Sequence, residues 1–160
     1  MLGFSLLPDN LDFSRARCRV RESTLAGARA YILENGVLSV SVLPEYGGRL
    51  CSLFYRPANI ELLATEFIHQ DRQHFTVRGG WCAAFPSLLA DGEMIATAPW
   101  EAAIITADDD QITLRLWCSV ERTSHRVDGQ VRVTPGMVHV ERFIRMIAGA
   151  AAIEVEDVLT

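Results

Sequence analysis

Alternating apolar and polar positions recur along the chain and predict β-strands. In residues 38–42 the apolar side chains Leu38, Val40 and Val42 fall on one face and two serines fall on the other. The longest alternation covers residues 111–122, where the apolar row consists of Ile112, Leu114, Leu116, Cys118 and Val120. Further strands are predicted at 28–33, 50–55, 60–63, 100–106, 126–134, 137–147 and 151–159.

Turn residues separate these strands at intervals of about ten residues. Glu34-Asn35-Gly36 predicts a hairpin, since both Asn and Gly tolerate positive φ, and Pro135-Gly136 marks a second turn. The aspartates 108–110 predict a solvated hairpin tip. Short strands joined in this way favour an antiparallel sandwich or barrel, and no long helical period competes with them. The expected fold is an all-β, antiparallel β-sandwich in a single domain that covers residues 1–160.

One long segment does not follow the strand pattern. Residues 64–99 show no clean period and contain a Gly-Gly pair, Trp81 and two histidines. Long irregular segments inside compact domains are commonly functional. We therefore expect this segment to carry part of a binding or catalytic site.

Composition excludes several classes of function. The chain is 49% hydrophobic and 22% charged, which is typical of a globular domain with one core. The net charge is −5, and no basic run is present that would bind nucleic acid. The first residues make a poor signal peptide, and no apolar run reaches the roughly 18 residues that cross a membrane. A cytoplasmic location without membrane or nucleic-acid partners is the expectation.

The four cysteines give no sign of a metal site. Cys18, Cys51, Cys82 and Cys118 are far apart and form no Cys-x-x-Cys pair, which excludes a zinc ribbon or a thioredoxin-like motif. Reduced, buried thiols are expected instead. The histidine spacing matches no common zinc motif and no calcium loop is complete, so neither a metal nor a cofactor is predicted.

Arg49 stands directly behind the Gly47-Gly48 pair in the stretch "VLPEYGGRL". Glycine allows backbone angles that other residues resist, so a bend is expected here. Arginine offers a planar fork of donors to hydroxyls or to a carboxylate. Spacing alone leaves two interpretations open: a surface charge after a tight turn, or a residue that the bend delivers into a cleft.

The stretch "VRGGW" places Arg78 and Trp81 on either side of a second Gly-Gly pair. An indole face stacks on the C–H face of a pyranose while arginine binds its hydroxyls, so this stretch is a candidate sugar platform. The alternative is a core tryptophan beside a solvated arginine.

Histidines and carboxylates near these segments are weaker candidates. His69 and His74 are either solvated loop residues or acid/base groups. Glu93 and Glu101, with Asp91, are either turn residues or a carboxylate pair for acid/base chemistry. His139 lies in the middle of a predicted strand and faces either a cleft or solvent. No Gly-x-Ser-x-Gly, Walker or dinucleotide-binding motif is present.

Three segments together resemble the galactose mutarotase-like (aldose 1-epimerase-like) superfamily. They are "ENGVLSVSVLPEYGGRLCSLFYRPANIELL", "FTVRGGWCAAFP" and "VERFIRMIAGAAAIEVEDVLT", and the resemblance covers residues 33–160. It is closest to a divergent, uncharacterised branch, and it matches the N-terminal half of those proteins. It implies part of a large antiparallel supersandwich that binds a sugar in a cleft, with Gly47-Gly48 bending the chain and Arg49 lining that cleft.

The resemblance also implies a chemistry and its limits. In catalytic relatives a histidine acid and a glutamate base open and reclose the sugar ring, and both lie in the second half, beyond residue 160. Arg78 takes the place of a histidine that often precedes the Gly-Gly pair in relatives. The expected substrate-binding residues are Arg49, His74, Arg78, Trp81 and Glu93, and the catalytic pair is expected outside this chain.

Three functions follow as hypotheses. The first is a sugar-binding, aldose 1-epimerase-like protein that interconverts anomers when complete. The second is a non-catalytic carbohydrate-binding module or a homodimeric assembly module, because a half sandwich exposes edges that favour pairing. The third, a cupin-like jelly roll, needs a metal cluster that the histidine spacing does not supply.

Overall fold

The computed structural model describes residues 15–69, 75–82, 95–122, 125–127, 130–132 and 136–160. Nearly all regular structure in these ranges is β-strand. The strands are β1 Arg19–Leu25, β2 Ala28–Glu34, β3 Leu38–Leu43, β4 Arg49–Tyr55, β5 Ile60–Glu61, β6 Thr65–His69, β7 Phe75–Gly79, β8 Glu101–Ala107, β9 Gln111–Arg122, β10 His125–Val127, β11 Gln130–Arg132, β12 Gly136–Ile147 and β13 Ile153–Leu159. Short 3₁₀ turns at Pro44–Tyr46 and Arg56–Ala58 flank β4. Within these ranges, none of the helices is both long and apolar enough to cross a membrane.

Every pairing between the described strands is antiparallel. A five-stranded sheet has the order β1-β2-β3-β4-β5, and a four-stranded sheet has the order β13-β12-β9-β8. Two small hairpins, β6-β7 and β10-β11, complete the described strands. The second hairpin separates β9 from β12 along the chain, yet those two strands pair over their full twelve residues.

The two larger sheets pack face to face as a sandwich. The apolar row of β9 predicted from the sequence is buried, and it meets the inner rows of β2 and β3 in one core. This core includes Tyr31, Leu33, Val37, Leu38, Val40, Val42, Leu50, Ile95, Trp100, Ile112, Leu114, Leu116, Val120, Val140, Ile144 and Met146. The expected all-β, antiparallel sandwich is thereby confirmed.

The five-stranded sheet is covered on its second face as well. A smaller core of Ala28, Ala30, Leu43, Cys51 and Val77 lies there, with Phe67 packed against it. Val77 and Phe67 belong to the β6-β7 hairpin, which therefore lies over this face. Burial from both sides explains why β2 and β3 are buried at nearly every position instead of alternating.

Three predictions about the strands were wrong. No strand was expected before residue 28, but β1 forms there as an edge strand with mostly exposed side chains, so its apolar alternation is too weak to read. Residues 64–99 were expected to be irregular, but β6 and β7 form a regular hairpin within them. The single strand expected at 126–134 is instead two short strands, β10 and β11, that pair as a hairpin. The remaining boundaries agree to within a few residues, except that β5 is only two residues long.

The predicted β2–β3 hairpin is confirmed, but its mechanism differs. Gly36 has a φ of 86°, whereas Asn35 is not among the residues with positive φ. The fully buried Asn35 acts through its side chain, whose Oδ1 accepts from the N–H groups of Val37 and Leu38 at 3.0 and 2.7 Å. Its Nδ2 donates to the carbonyls of Ile147 and Ala150, both at 2.8 Å. This side chain therefore fastens the hairpin to the end of β12.

Candidate functional site

The Gly47-Gly48 turn is a close-contact point in the fold. Both residues are left-handed, with φ of 74° and 59°. A Cβ on Gly47 would lie 2.0 Å from the Ala96 carbonyl oxygen, and one on Gly48 would lie 2.9 Å from Cε3 of Trp100. Glycine is therefore required twice over, for the backbone angles and for the space. The turn accepts a neighbouring segment and does not form an open bend.

A buried arginine, Arg142, lies beneath this turn. It occupies the inner row of β12 and is 0% exposed. Its Nε and Nη2 donate to the two carboxylate oxygens of Asp157, each at 2.7 Å, and Nη1 donates to the Gly48 carbonyl at 3.2 Å. The guanidinium also lies 5.9 Å from the ring centre of Trp100. Arg142 thus joins the turn, Trp100 and β13 into one unit.

Arg49 is bound to the backbone of the β6-β7 hairpin. Its Nη1 donates to the carbonyl of Gly79 at 2.7 Å and to that of Val77 at 3.1 Å. Its Nε is buried and has no partner among the described residues. Neither interpretation from the sequence describes this placement, because the side chain is half-buried and holds the end of β7 against the start of β4.

The second Gly-Gly pair lets these strands approach. A Cβ on Gly79 would lie 2.0 Å from the Ala64 carbonyl oxygen, and one on Gly80 would lie 2.5 Å from that of Leu50. Directly after the pair, Trp81 exchanges two backbone hydrogen bonds with Leu50, at 2.8 and 2.9 Å. The backbone of Trp81 is therefore fixed to β4.

Three of the five predicted substrate-binding residues meet at this junction. Arg49, on β4, stabilises the junction, and Arg78 is exposed on β7. The Trp81 side chain is 43% exposed, although its backbone is fixed. Trp81 is therefore not a core tryptophan. We call the surface formed by Arg78 and Trp81 the Trp81 platform. The other two predicted residues, His74 and Glu93, lie outside the described residues.

The remaining sequence candidates are placed elsewhere. Asp91 lies outside the described residues, and the backbone of His69 pairs with that of Phe75. Glu101 is exposed on the edge strand β8, opposite Trp117. Asp108 accepts hydrogen bonds from the N–H groups of Asp110 and Gln111, at 2.9 and 2.8 Å, as expected of a hairpin tip. The described residues contain no cluster of three metal-ligating side chains.

A hydrogen-bonded network on the outer face of the four-stranded sheet was not predicted. The Ser119 hydroxyl lies 2.9 Å from Nδ1 of His139, and Nε2 of His139 lies 3.1 Å from Oε1 of Glu141. Arg115 donates to both carboxylate oxygens of Glu141, at 2.7 and 3.2 Å. The Arg115 guanidinium also lies 4.8 Å from the ring centre of Trp117. We call Arg115, Ser119, His139 and Glu141 the outer-face network.

Strand register explains this proximity. Ser119 on β9 and His139 on β12 are direct cross-strand partners. The backbone N–H and C=O of His139 both bond to Thr160, so they point away from β9. The His139–Ser119 pair is then of the non-hydrogen-bonded type, in which facing side chains come closest.

Charge and protonation in the network follow from its contacts. The hydrogen bonds from Arg115, and then the contact with His139, lower the pKa of Glu141, which therefore stays ionised. A carboxylate can only accept, so Nε2 of His139 carries the hydrogen in this contact. In the neutral ring Nδ1 is then an acceptor, and the Ser119 hydroxyl donates to it.

The expectation of free, buried thiols holds for three of the four cysteines. All four are free, and Cys18, Cys51 and Cys118 are buried. Burial raises the pKa of Cys51 and of Cys118 to about 11. These thiols are packing groups and not nucleophiles.

The sequence indicated the Trp81 platform as a candidate site, but it did not indicate the outer-face network. The available pattern was Arg-x-Trp-x-Ser on β9 and His-x-Glu on β12, both in outward-facing rows. Comparison of the chain with models of known protein families, with curated proteins and with solved structures gave no match.

Proposed function

We propose that the chain is a carbohydrate-binding, aldose 1-epimerase-like protein that takes a small sugar or sugar derivative at the Trp81 platform. One observation carries the proposal: Trp81 is exposed while both of its backbone hydrogen bonds are made to Leu50. A rigid, solvent-facing indole is the surface on which the apolar face of a pyranose stacks. It loses little conformational entropy when the sugar binds.

The two neighbouring arginines have different roles in this proposal. Arg78 is exposed and lies three residues before Trp81, so its planar donors can be directed at sugar hydroxyls or at an anionic substituent. Arg49 has a positioning role, because its hydrogen bonds to Val77 and Gly79 fix the strand that carries Arg78. The resemblance of the three sequence segments to aldose 1-epimerase-like proteins supports the same ligand class.

Titration with aldoses and aldose phosphates, followed by calorimetry, tests the proposal. Trp81→Ala should weaken binding about fivefold or more, since an aromatic stacking contact contributes about 1 kcal/mol or more. Trp117→Ala, which removes a partly exposed indole from the four-stranded sheet, is the matched control. Equal affinity in the wild type and in Trp81→Ala would exclude the platform as the binding site.

Anomer interconversion is tested separately. Polarimetry of freshly dissolved α-aldose measures mutarotation with and without the protein. Because the catalytic pair is expected outside this chain, binding without acceleration fits both the sugar-binding part of an epimerase-like protein and the non-catalytic module. Acceleration that Trp81→Ala abolishes would support the epimerase-like activity.

Exposed apolar side chains on both edges of the four-stranded sheet favour a second candidate, a homodimeric assembly module. Ile104 and Ile105 lie on the edge strand β8, and Val158 and Leu159 lie on the edge strand β13. Unprotected strand edges pair readily with a second copy. Light scattering should then give about twice the chain mass of 17.8 kDa, and Ile105→Lys should restore the single mass if β8 is the contact.

A further inference from the structure

The outer-face network joins three side chains in the order nucleophile, base and orienting carboxylate. Ser119, His139 and Glu141 are connected by contacts of 2.9 and 3.1 Å. A hydroxyl within hydrogen-bond reach of a base, which is itself oriented by a third group, is the geometric signature of nucleophilic catalysis. It is recognised by geometry and roles and not by linear sequence. The absence of a Gly-x-Ser-x-Gly motif therefore does not exclude a serine nucleophile.

We propose that Ser119 is a nucleophile, activated by His139, that acts on small carboxylic esters at the outer face of the four-stranded sheet. The inference is independent of sugar binding at the Trp81 platform, since the network lies on different strands. The Ser119 hydroxyl is exposed, so an ester in solvent can reach it.

Each member of the network has a distinct role. His139 is oriented by Glu141, and Glu141 is held by two hydrogen bonds from Arg115. A carboxylate fixed in this way keeps the hydrogen on Nε2 and stabilises the imidazolium that forms when Nδ1 takes a proton. Arg115 and Glu141 are positioning residues, whereas Ser119 and His139 would touch the reacting atoms.

The reaction balances without any further reactant except water. The Ser119 oxygen bonds to the acyl carbon while its proton passes to Nδ1 of His139, and the carbonyl electron pair moves to oxygen. The tetrahedral adduct collapses, the C–O bond to the leaving group breaks, and that oxygen takes the proton from His139. Water then attacks the acyl-serine by the same route and releases the acid and the free hydroxyl.

The position of Trp117 beside Ser119 indicates which esters are the expected substrates. Trp117 lies two residues before Ser119 on β9, so both side chains project from the same face. Its indole is partly exposed, with Arg115 at the ring. An aryl group or a short acyl chain can pack beside it while the carbonyl reaches Ser119. Aryl esters and short-chain acyl esters are therefore the expected substrates.

The test uses an alkyl fluorophosphonate and 4-nitrophenyl acetate with the full chain. With the fluorophosphonate, the serine oxygen bonds to phosphorus, the P–F bond breaks and fluoride leaves. We expect one adduct by intact mass, mapped to Ser119 by peptide sequencing. Ser52 is the internal control, because its hydroxyl contacts the carboxylate of Glu61 at 2.6 Å and has no imidazole partner among the described side chains.

Variants separate activation from simple exposure. His139→Gln should slow both labelling and ester cleavage by about 100-fold or more, the usual contribution of a positioned base. Glu141→Gln should slow them less, while Ser52→Ala should change neither. An adduct on Ser52 or on any residue other than Ser119, or wild-type rates in His139→Gln with the native circular dichroism spectrum, would overturn the proposal.

Discussion

The Arg142 guanidinium and the Asp157 carboxylate form a bidentate ion pair between β12 and β13, with both N–O distances at 2.7 Å. The two residues are direct cross-strand partners, and the arginine is fully buried while the aspartate is partly exposed. The third guanidinium nitrogen of the arginine, Nη1, donates a hydrogen bond to the Gly48 carbonyl. One side chain therefore connects the edge of one sheet to the turn that begins β4 in the other.

Removing Asp157 should destabilise the protein strongly. Asp157→Asn leaves a buried guanidinium without its counter-charge, which costs about 3–5 kcal/mol in the free energy of unfolding. Urea unfolding measures this value. Glu154→Gln is the control, because Glu154 pairs with the exposed side of Arg145 and its loss should cost no more than about 1 kcal/mol. Equal costs for the two variants would contradict the structural role of Arg142.

Adding a methyl group at Gly48 should also be costly. Gly48→Ala forces a left-handed alanine and places its Cβ 2.9 Å from the Trp100 ring. Strain of this kind costs about 1–3 kcal/mol. Gly136→Ala is the matched control, since a Cβ there meets nothing within 4 Å. Thermal unfolding of both variants should show a clear loss for the first and little change for the second.

Cysteine alkylation should follow burial. Cys51 and Cys118 have a pKa of about 11, so at pH 8 almost none of either is thiolate. The partly exposed Cys82 should therefore react with iodoacetamide first in the native protein. In urea all four should react, which mass spectrometry counts directly. Rapid native labelling of Cys51 would contradict the described core.

Acid should remove a stabilising contribution from Glu61. Burial acts to raise its pKa, but hydrogen bonds from Ser52 and from the N–H groups of Leu63 and Leu53 outweigh burial and lower the pKa. Because the folded pKa lies below the unfolded one, this stabilisation is complete above the unfolded value of about 4.3 and is lost as pH falls through the folded pKa. Glu61→Gln should therefore flatten the pH dependence of unfolding in this acidic range, measured by urea titrations at several pH values. An unchanged slope would show that these hydrogen bonds do not favour the ionised form.

Local patterns in the sequence were enough to predict most strands and the sandwich. The row from Ile112 to Val120 has period two, and burial on one face follows from that period. Arg142 could not be predicted, because it occupies an inward position where an apolar residue is normal, and only its register with Asp157 explains it.

The two sites differ in how much the sequence could show. Arg78 and Trp81 are neighbours along the chain, so a local reading places them together. Ser119 and His139 meet only because β9 pairs with β12 across the intervening β10-β11 hairpin. That pairing is non-local, and a shift of β9 by one residue would turn Arg115 and Ser119 to the face opposite His139.

Chemical-shift mapping of the indole N–H groups tests directly whether a sugar binds at the Trp81 platform. The chain has three tryptophans, and they differ in environment: Trp100 is buried, Trp117 lies on the outer face and Trp81 is exposed beside Arg78. In an aldose or aldose phosphate titration, we expect the Trp81 signal to shift while the Trp100 and Trp117 signals stay in place. A sugar that shifts Trp117 and leaves Trp81 unchanged, or a panel that shifts none of the three, would contradict this expectation.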